Sequence, residues 1–308
     1  MVRGPGVTEG TTPSPSSLAT EPPMKLVTFE HDGRVSIGAV TGERLVDLGA
    51  AGLADNMVGL IAGWPRFGDS VRAFVDSAET GFDLAAVRLC APVPDPQKIL
   101  AIGLNYADHI AESGQAKPEK QVWFSKLPNA VNGPYDDIEL PKASSQVDYE
   151  AELVVVIGRR CRHVPRENAA DVVFGYMAGN DVTARDWQFH SPQWILGKSF
   201  DTHAPIGPWI VTADEIGDPH ALGIRCLVNG ALRQNSNTEN LVFNIWDQIA
   251  YLSQAMTLLP GDLIFTGTPA GVGFAMKPPS FLKAGDVVRV EIDGIGALEA
   301  RMEPEQVQ

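Results

Sequence analysis

The sequence predicts an α+β fold dominated by β-strand. Three observations predict it. Short apolar, β-branched runs recur, as in Leu153-Val154-Val155-Val156-Ile157 and Leu263-Ile264-Phe265-Thr266. The turn signals Asp32-Gly33, Asn229-Gly230 and Asp293-Gly294 sit between such runs and mark hairpins. Helical spacing is confined to a few segments, chiefly Ile245, Ile249, Leu252 and Met256, a stripe that reads as core packing.

The bulk properties narrow the function. A chain of 308 residues suffices for one large domain or two smaller ones. With 44% hydrophobic and 20% charged residues it can bury a sizeable core, which excludes global disorder. The net charge of -14 argues against a nucleic-acid partner, whose phosphates would be repelled. It leaves room for a small anionic substrate wherever a local cation reverses the field. No apolar run reaches the ~18 residues of a membrane span, so no membrane partner is expected. Cys90, Cys161 and Cys226 are odd in number and widely spaced, which predicts reduced thiols in a cytoplasmic protein.

In chain order, residues 1–23 are rich in Pro, Ser, Thr and Gly without a hydrophobic block, and are expected to be a disordered leader. Residues 24–92 read as a small α+β unit, with strands at Leu26–Phe29, Val35–Val40 and Leu45–Asp47 and a helix over Ser70–Ala78. Ala91-Pro92-Val93-Pro94-Asp95-Pro96 is a stiff linker and the predicted boundary. The second unit, 98–302, opens on a buried strand, Lys98–Gly103. Asn105 is placed to cap a short helix on which His109 and Glu112, three apart, share a face. A carboxylate beside an imidazole orients it and raises its basicity, as a general base requires. The same spacing also occurs in ordinary surface pairs. The polar residues that follow suggest that 105–120 form a mobile lid. Val122–Lys126 reads as a strand whose Lys126 faces either a pocket or solvent.

Glu150 and Glu152 flank Ala151 at the start of the Leu153–Ile157 run. Residues two apart on a strand share a face, so the two carboxylates project together. Buried side by side they repel unless a cation lies between them. A second apolar run, Val172–Asn180, ends in Asp181 and supplies a third acid. Three carboxylates without Cys or paired His suit a hard divalent cation such as Mg²⁺. The alternative is a solvated Glu-x-Glu on an exposed face. Between these runs, Pro165–Asp171 reads as a helix. Arg185 offers a planar fork for a carboxylate, with Gln188 three residues on. Lys198, set among apolar residues, either snorkels to the surface or is held near anions. Gly223–Val228 with Ala231–Gln234, and Val287–Ile292 with Ala297–Met302, form hairpins. The glycines of Gly267-Thr268-Pro269-Ala270-Gly271-Val272-Gly273 permit close approach to a ligand, but the P-loop ending is absent.

Five of these pieces, in order across roughly 98–302, resemble the fumarylacetoacetate hydrolase family. They are Gly103-Leu104-Asn105-Tyr106 with His109 and Glu112; Asp148-Tyr149-Glu150-Ala151-Glu152; Asn180-Asp181 with Arg185-Asp186-Trp187-Gln188; Gly197-Lys198-Ser199-Phe200-Asp201; and Thr266 to Gly273. The resemblance implies a mixed β-sandwich roll with a small N-terminal accessory domain, assembled as a homodimer. It implies a metal at Glu150, Glu152 and Asp181, usually Mg²⁺, with Mn²⁺ or Ca²⁺ as alternatives. It implies a 2-oxo acid substrate: His109 and Glu112 activate water, Lys198 stabilises developing negative charge, and Tyr106, Lys126, Arg185, Gln188 and Thr268 contact the substrate. The expected reaction is hydrolysis of a C–C bond in an acylpyruvate-type 2,4-dioxo acid. Isomerisation of the 2-hydroxyhepta-2,4-diene-1,7-dioate type, or oxaloacetate decarboxylation, is the alternative at the same site. A non-catalytic cation-binding protein is a third reading.

Overall fold

The computed structural model describes residues 24–114 and 116–306; the expected leader lies outside them. The fold is α+β and strand-rich, as expected, and is built on the apolar runs that the sequence displays. Ala151–Ile157 lies inside a large mixed sheet, paired antiparallel with Val173–Asn180 on one side and Leu263–Phe265 on the other. Beyond Leu263–Phe265 come Ile99–Gly103, parallel, and Val122–Lys126. On the other side Ala204–Thr212 follows Val173–Asn180, and Lys25–His31 pairs antiparallel with it. Strands before and after the Pro-rich 91–96 stretch therefore belong to one continuous sheet.

A second, five-stranded sheet contains the two predicted hairpins, Gly223–Val228 with Ala231–Asn237 and Val287–Ile292 with Gly296–Pro304. Alternation decides what each face of Ala151–Ile157 meets. Leu153, Val155 and Ile157 pack with Ile224, Val288, Val290 and Leu298 of the second sheet. Val154 and Val156 pack on the other side, with Leu60, Ile61 and Val71 of a long helix. Each fully buried Leu, Ile or Val contributes roughly 1.5–3 kcal/mol, so the central strand is anchored on both faces.

Three local expectations change. The first helix is Met57–Ser77, capped by Asn56 accepting the Gly59 N–H, not Ser70–Ala78 alone. Pro65 with Gly59, Gly63 and Gly68 obscures it in the sequence, but Met57, Leu60, Ile61, Val71 and Val75 form one buried face. Pro165–Asp171 is not a helix: two short 3₁₀ turns, Arg166–Asn168 and Ala170–Val172, occupy the stretch. Asn105 does not cap the helix Ala107–Ser113. Its amide donates to Phe243 O and Thr266 O and accepts from Phe243 N, pinning the segment before the helix to the residue after the strand Leu263–Phe265 and to the loop that leads into the helix Ile245–Ala255.

Candidate metal centre and active site

Strand register assembles the three acids. Ala151 pairs with Asn180 and Glu152 with Gly179, so Asp181 follows directly beside Glu150 and donates its N–H to Glu150 O at 2.9 Å. One carboxylate oxygen from each of Glu150, Glu152 and Asp181 lies within 4.8 Å of the others, and all three residues are buried.

Cations hold two of the three. Lys198 Nζ donates to Glu150 Oε2 and Asp181 Oδ2, each at 2.7 Å. Lys126 Nζ donates to Asp181 Oδ1 at 2.6 Å and to Val182 O at 3.2 Å. Arg185 Nη1 lies 2.7 Å from Glu150 Oε1. The two lysines shift in opposite directions. Burial pulls both down, but Lys198 faces two acids and ends above its ordinary value, whereas Lys126 faces one acid and the Lys198 charge and ends below. Burial raises Glu150, yet Lys198 and Arg185 outweigh it and hold the carboxyl well below the usual range.

Glu152 is the unbalanced member. Among the described residues it has no ion pair; its Oε2 accepts the Gly267 N–H at 2.7 Å. Burial, then the Asp181 and Glu150 charges, push it well above its ordinary value. Counting Asp148, four carboxyl groups face three cations, and Glu152 is the one left without a cationic partner among the described residues. Tyr106 Oη and Asn180 Nδ2 are also buried without a hydrogen-bond partner among the described residues, and Asn180 Oδ1 accepts the Glu150 N–H. An excess carboxylate, an all-oxygen donor set and unpaired polar atoms nearby fit a hydrated divalent cation.

Glu150 and Glu152 open onto a cavity of about 190 Å³. Drug-sized pockets run to roughly 300–1,000 Å³, so a small acid fits this one better. His109, Glu112, Glu150, Glu152, Arg185, Gln188, Lys198 and Thr268 all line it. Glu112 Oε2 lies 3.4 Å from His109 Nδ1. Asp181 stands behind the wall. Tyr106 and Lys126, expected at the substrate, do not line the cavity: both are fully buried, Lys126 against Asp181. Arg185, expected to contact the substrate, lines the cavity but turns its donors inward onto Asp148, Glu150 and Gln188. Arginine only donates, so the Gln188 oxygen must face it, and the Gln188 NH₂ is left for another acceptor. The Thr268 hydroxyl donates to Ala151 O at 2.9 Å and accepts from Gln234 at 2.8 Å, so its proton is already committed.

Several participants carry no sequence signal. Gln234, on the edge hairpin, is fully buried and ties Thr268 and Pro269 O to the Ala151 N–H between the two glutamates. Phe124, Trp194, Phe189 and Phe274 complete the cavity wall. Gly103 is required beneath Trp194, because a Cβ there would stand 2.4 Å from the indole.

Residues 98–303 match the family model described as fumarylacetoacetate (FAA) hydrolase C-terminal. The chain is 44% identical over 283 residues to oxaloacetate tautomerase fahd2, mitochondrial, of Xenopus laevis, covering 89% of each chain. A solved fumarylacetoacetate hydrolase from psychrophilic Exiguobacterium antarcticum superposes with a TM-score of 0.81 at 40% identity, covering 92% of this chain and 100% of the other. Maleylpyruvate hydrolase from Sphingobium, solved with manganese(II) and pyruvate, superposes with a TM-score of 0.79 at 35% identity and the same coverage.

Proposed function

This chain is an enzyme of the fumarylacetoacetate hydrolase family, and we propose that it interconverts the enol and keto forms of a short 2-oxo acid of the oxaloacetate class. One observation carries the reading: a single small cavity is lined both by acids able to hold a divalent ion and by a histidine–carboxylate pair. The Xenopus relative, matched over nearly its whole length, bears that activity in its name.

Glu150, Glu152 and Asp181 would hold Mg²⁺ or Mn²⁺. The bound ion would supply Lewis acidity toward a substrate carboxylate and its 2-oxo oxygen. Lys198 uses two of its three N–H donors on Glu150 and Asp181, and offers the third to oxygen in the cavity. Gln188, turned by Arg185, offers its NH₂ in the same way. Glu112 engages His109 Nδ1, which leaves Nε2 to carry a proton. Ketonisation removes the proton from the enol oxygen and adds one at C3, and His109 serves the C3 step; the reverse uses the same atoms. No water is consumed and no C–C bond breaks.

A second reading is C–C hydrolysis of an acylpyruvate-type acid, with the His109–Glu112 pair activating water. The manganese-and-pyruvate complex of the Sphingobium hydrolase favours it. Homodimer assembly and a reducing, cytoplasmic-type setting belong to the proposal, the latter supported by three free cysteines. The test is product identification by NMR with Mg²⁺ present. Tautomerisation predicts faster enol–keto equilibration of oxaloacetate with no extra pyruvate. Pyruvate from oxaloacetate would show decarboxylation, and pyruvate from an acylpyruvate with oxaloacetate untouched would show hydrolysis; either replaces the proposal.

A further inference from the structure

Asp148 lines no part of the cavity and is fully buried, yet its carboxylate joins three parts of the site. Oδ1 accepts the Tyr149 N–H at 2.9 Å and the Gly273 N–H at 2.8 Å. Oδ2 accepts the Phe274 N–H and Arg185 Nε, both at 2.9 Å. Arg185 Nη2 adds charge pairing at 2.8 Å from the same oxygen, without hydrogen-bond alignment. From there Arg185 Nη1 reaches Glu150 Oε1 at 2.7 Å and Gln188 Oε1 at 3.1 Å. One carboxylate thus stands a single side chain away from a candidate metal ligand, and one peptide away from Phe274 on the cavity wall.

The chemistry of this joint demands an ionised aspartate. All its partners are donors, and only a carboxylate accepts on both oxygens. Asparagine has the right shape but turns an NH₂ toward donors in either orientation. The turn at Gly273 is fitted to it: a Cβ there would stand 2.7 Å from Asp148 Oδ1 and 2.0 Å from Ser280 O. Charge matters as much as shape. Asp148 shares the Arg185 charge with Glu150. Without it, the guanidinium would fall wholly on Glu150 and compete with a cation for that carboxylate.

We propose that Asp148 is a positioning residue that acts through Arg185 to set the orientation and free charge of Glu150, and so the affinity of the metal centre. Through Gly273 and Phe274 it also fixes one cavity wall. The inference rests on the metal reading of the acids, but not on the identity of the substrate.

The experiment is Mn²⁺ titration, read from the free-ion EPR signal, of wild type, Asp148→Asn, Arg185→Gln and the double variant. Asp148→Asn is expected to weaken Mn²⁺ binding by roughly 10–100-fold, the usual effect of losing an outer hydrogen-bonding partner. In the Arg185→Gln background the same change should alter affinity by less than about twofold, because the link it acts through is already gone. Circular dichroism of the metal-free proteins checks that the sheets persist. Should Asp148→Asn precipitate, Arg185→Lys keeps the charge but cannot span Asp148 and Glu150, and should lose affinity similarly. Unchanged affinity in Asp148→Asn or in Arg185→Lys, or an equal loss in both Arg185 backgrounds, overturns the inference while leaving the metal reading intact. A wild type that binds no Mn²⁺ overturns both.

Discussion

Glu112 accepts the backbone N–H of Gly271, which lies 3.0 Å from both of its carboxylate oxygens. Gly271 sits at φ +104, a conformation that favours glycine, and a Cβ there would meet Arg233 O at 2.0 Å. Its carbonyl accepts the Tyr149 hydroxyl at 3.0 Å. The helix carrying His109 is therefore latched to a loop that Tyr149, next to the candidate ligand Glu150, itself holds in place. Asp108 adds a second tie by accepting the Ser236 hydroxyl at 2.6 Å.

The latch predicts how the helix moves. With Mg²⁺ and oxalate bound, residues 105–120 should gain protection in hydrogen-exchange mass spectrometry, because closure completes the site. Glu112→Ala should lower protection of Ala107–Ser113 in both states by removing the Gly271 contact. Equal protection with and without ligand would show that the segment is not a lid.

The acids predict a pH dependence with a definite sign. Glu150 is depressed in the folded protein, so its contribution is present above the ordinary value of 4.5 and lost as pH falls through the folded value. Glu152 is raised, so its contribution is present below 4.5 and lost as pH rises through the folded value. Glu152→Gln should therefore stabilise the metal-free protein relative to wild type at pH 8, and by less at pH 6. It should also abolish stabilisation by Mg²⁺. In wild type, Mg²⁺ should raise the melting temperature more at pH 8 than at pH 6. Scanning calorimetry of both proteins at the two pH values measures each effect.

Gln234 predicts a structural cost that reaches the site. Gln234→Leu leaves the Ala151 N–H buried without its acceptor, at a cost of about 1–3 kcal/mol. It also removes the Gln234 amide's ties to Thr268 and Pro269 O, so that of these contacts only the Thr268 hydroxyl bond to Ala151 O still holds the loop to the strand. Denaturant unfolding should show that loss, and KM should rise, because the loop lining the cavity loses its clip. Wild-type stability and KM in this variant would remove Gln234 from the account.

What the sequence reveals here is what depends on local periodicity. Alternation exposes Leu153–Ile157 as a two-faced strand and puts Glu150 and Glu152 on one side. Turn chemistry marks both hairpins of the second sheet. The helix at Met57 is obscured because Pro65 and the glycines lower helix propensity where tertiary burial overrides it. Arg185 and Lys126 are recognisable as charged residues near the acids, but spacing cannot show that Asp148 and Asp181 turn them inward. Gln234 and the Asp148–Gly273 contact depend on segments that meet only through the folded topology, and a glutamine in a hairpin strand carries no local mark of that role.

The central claim is that His109 moves a proton at C3 of a 2-oxo acid held at the metal centre. The most direct measurement is stopped-flow decay of enol-oxaloacetate absorbance with wild type, metal-stripped wild type and His109→Ala. The account predicts rapid ketonisation by wild type with Mg²⁺, and loss on metal removal. His109→Ala should be slower by a factor on the order of 10²–10⁴ while still binding Mn²⁺ like wild type. Ketonisation by His109→Ala at the wild-type rate would contradict the account and place the proton carrier elsewhere.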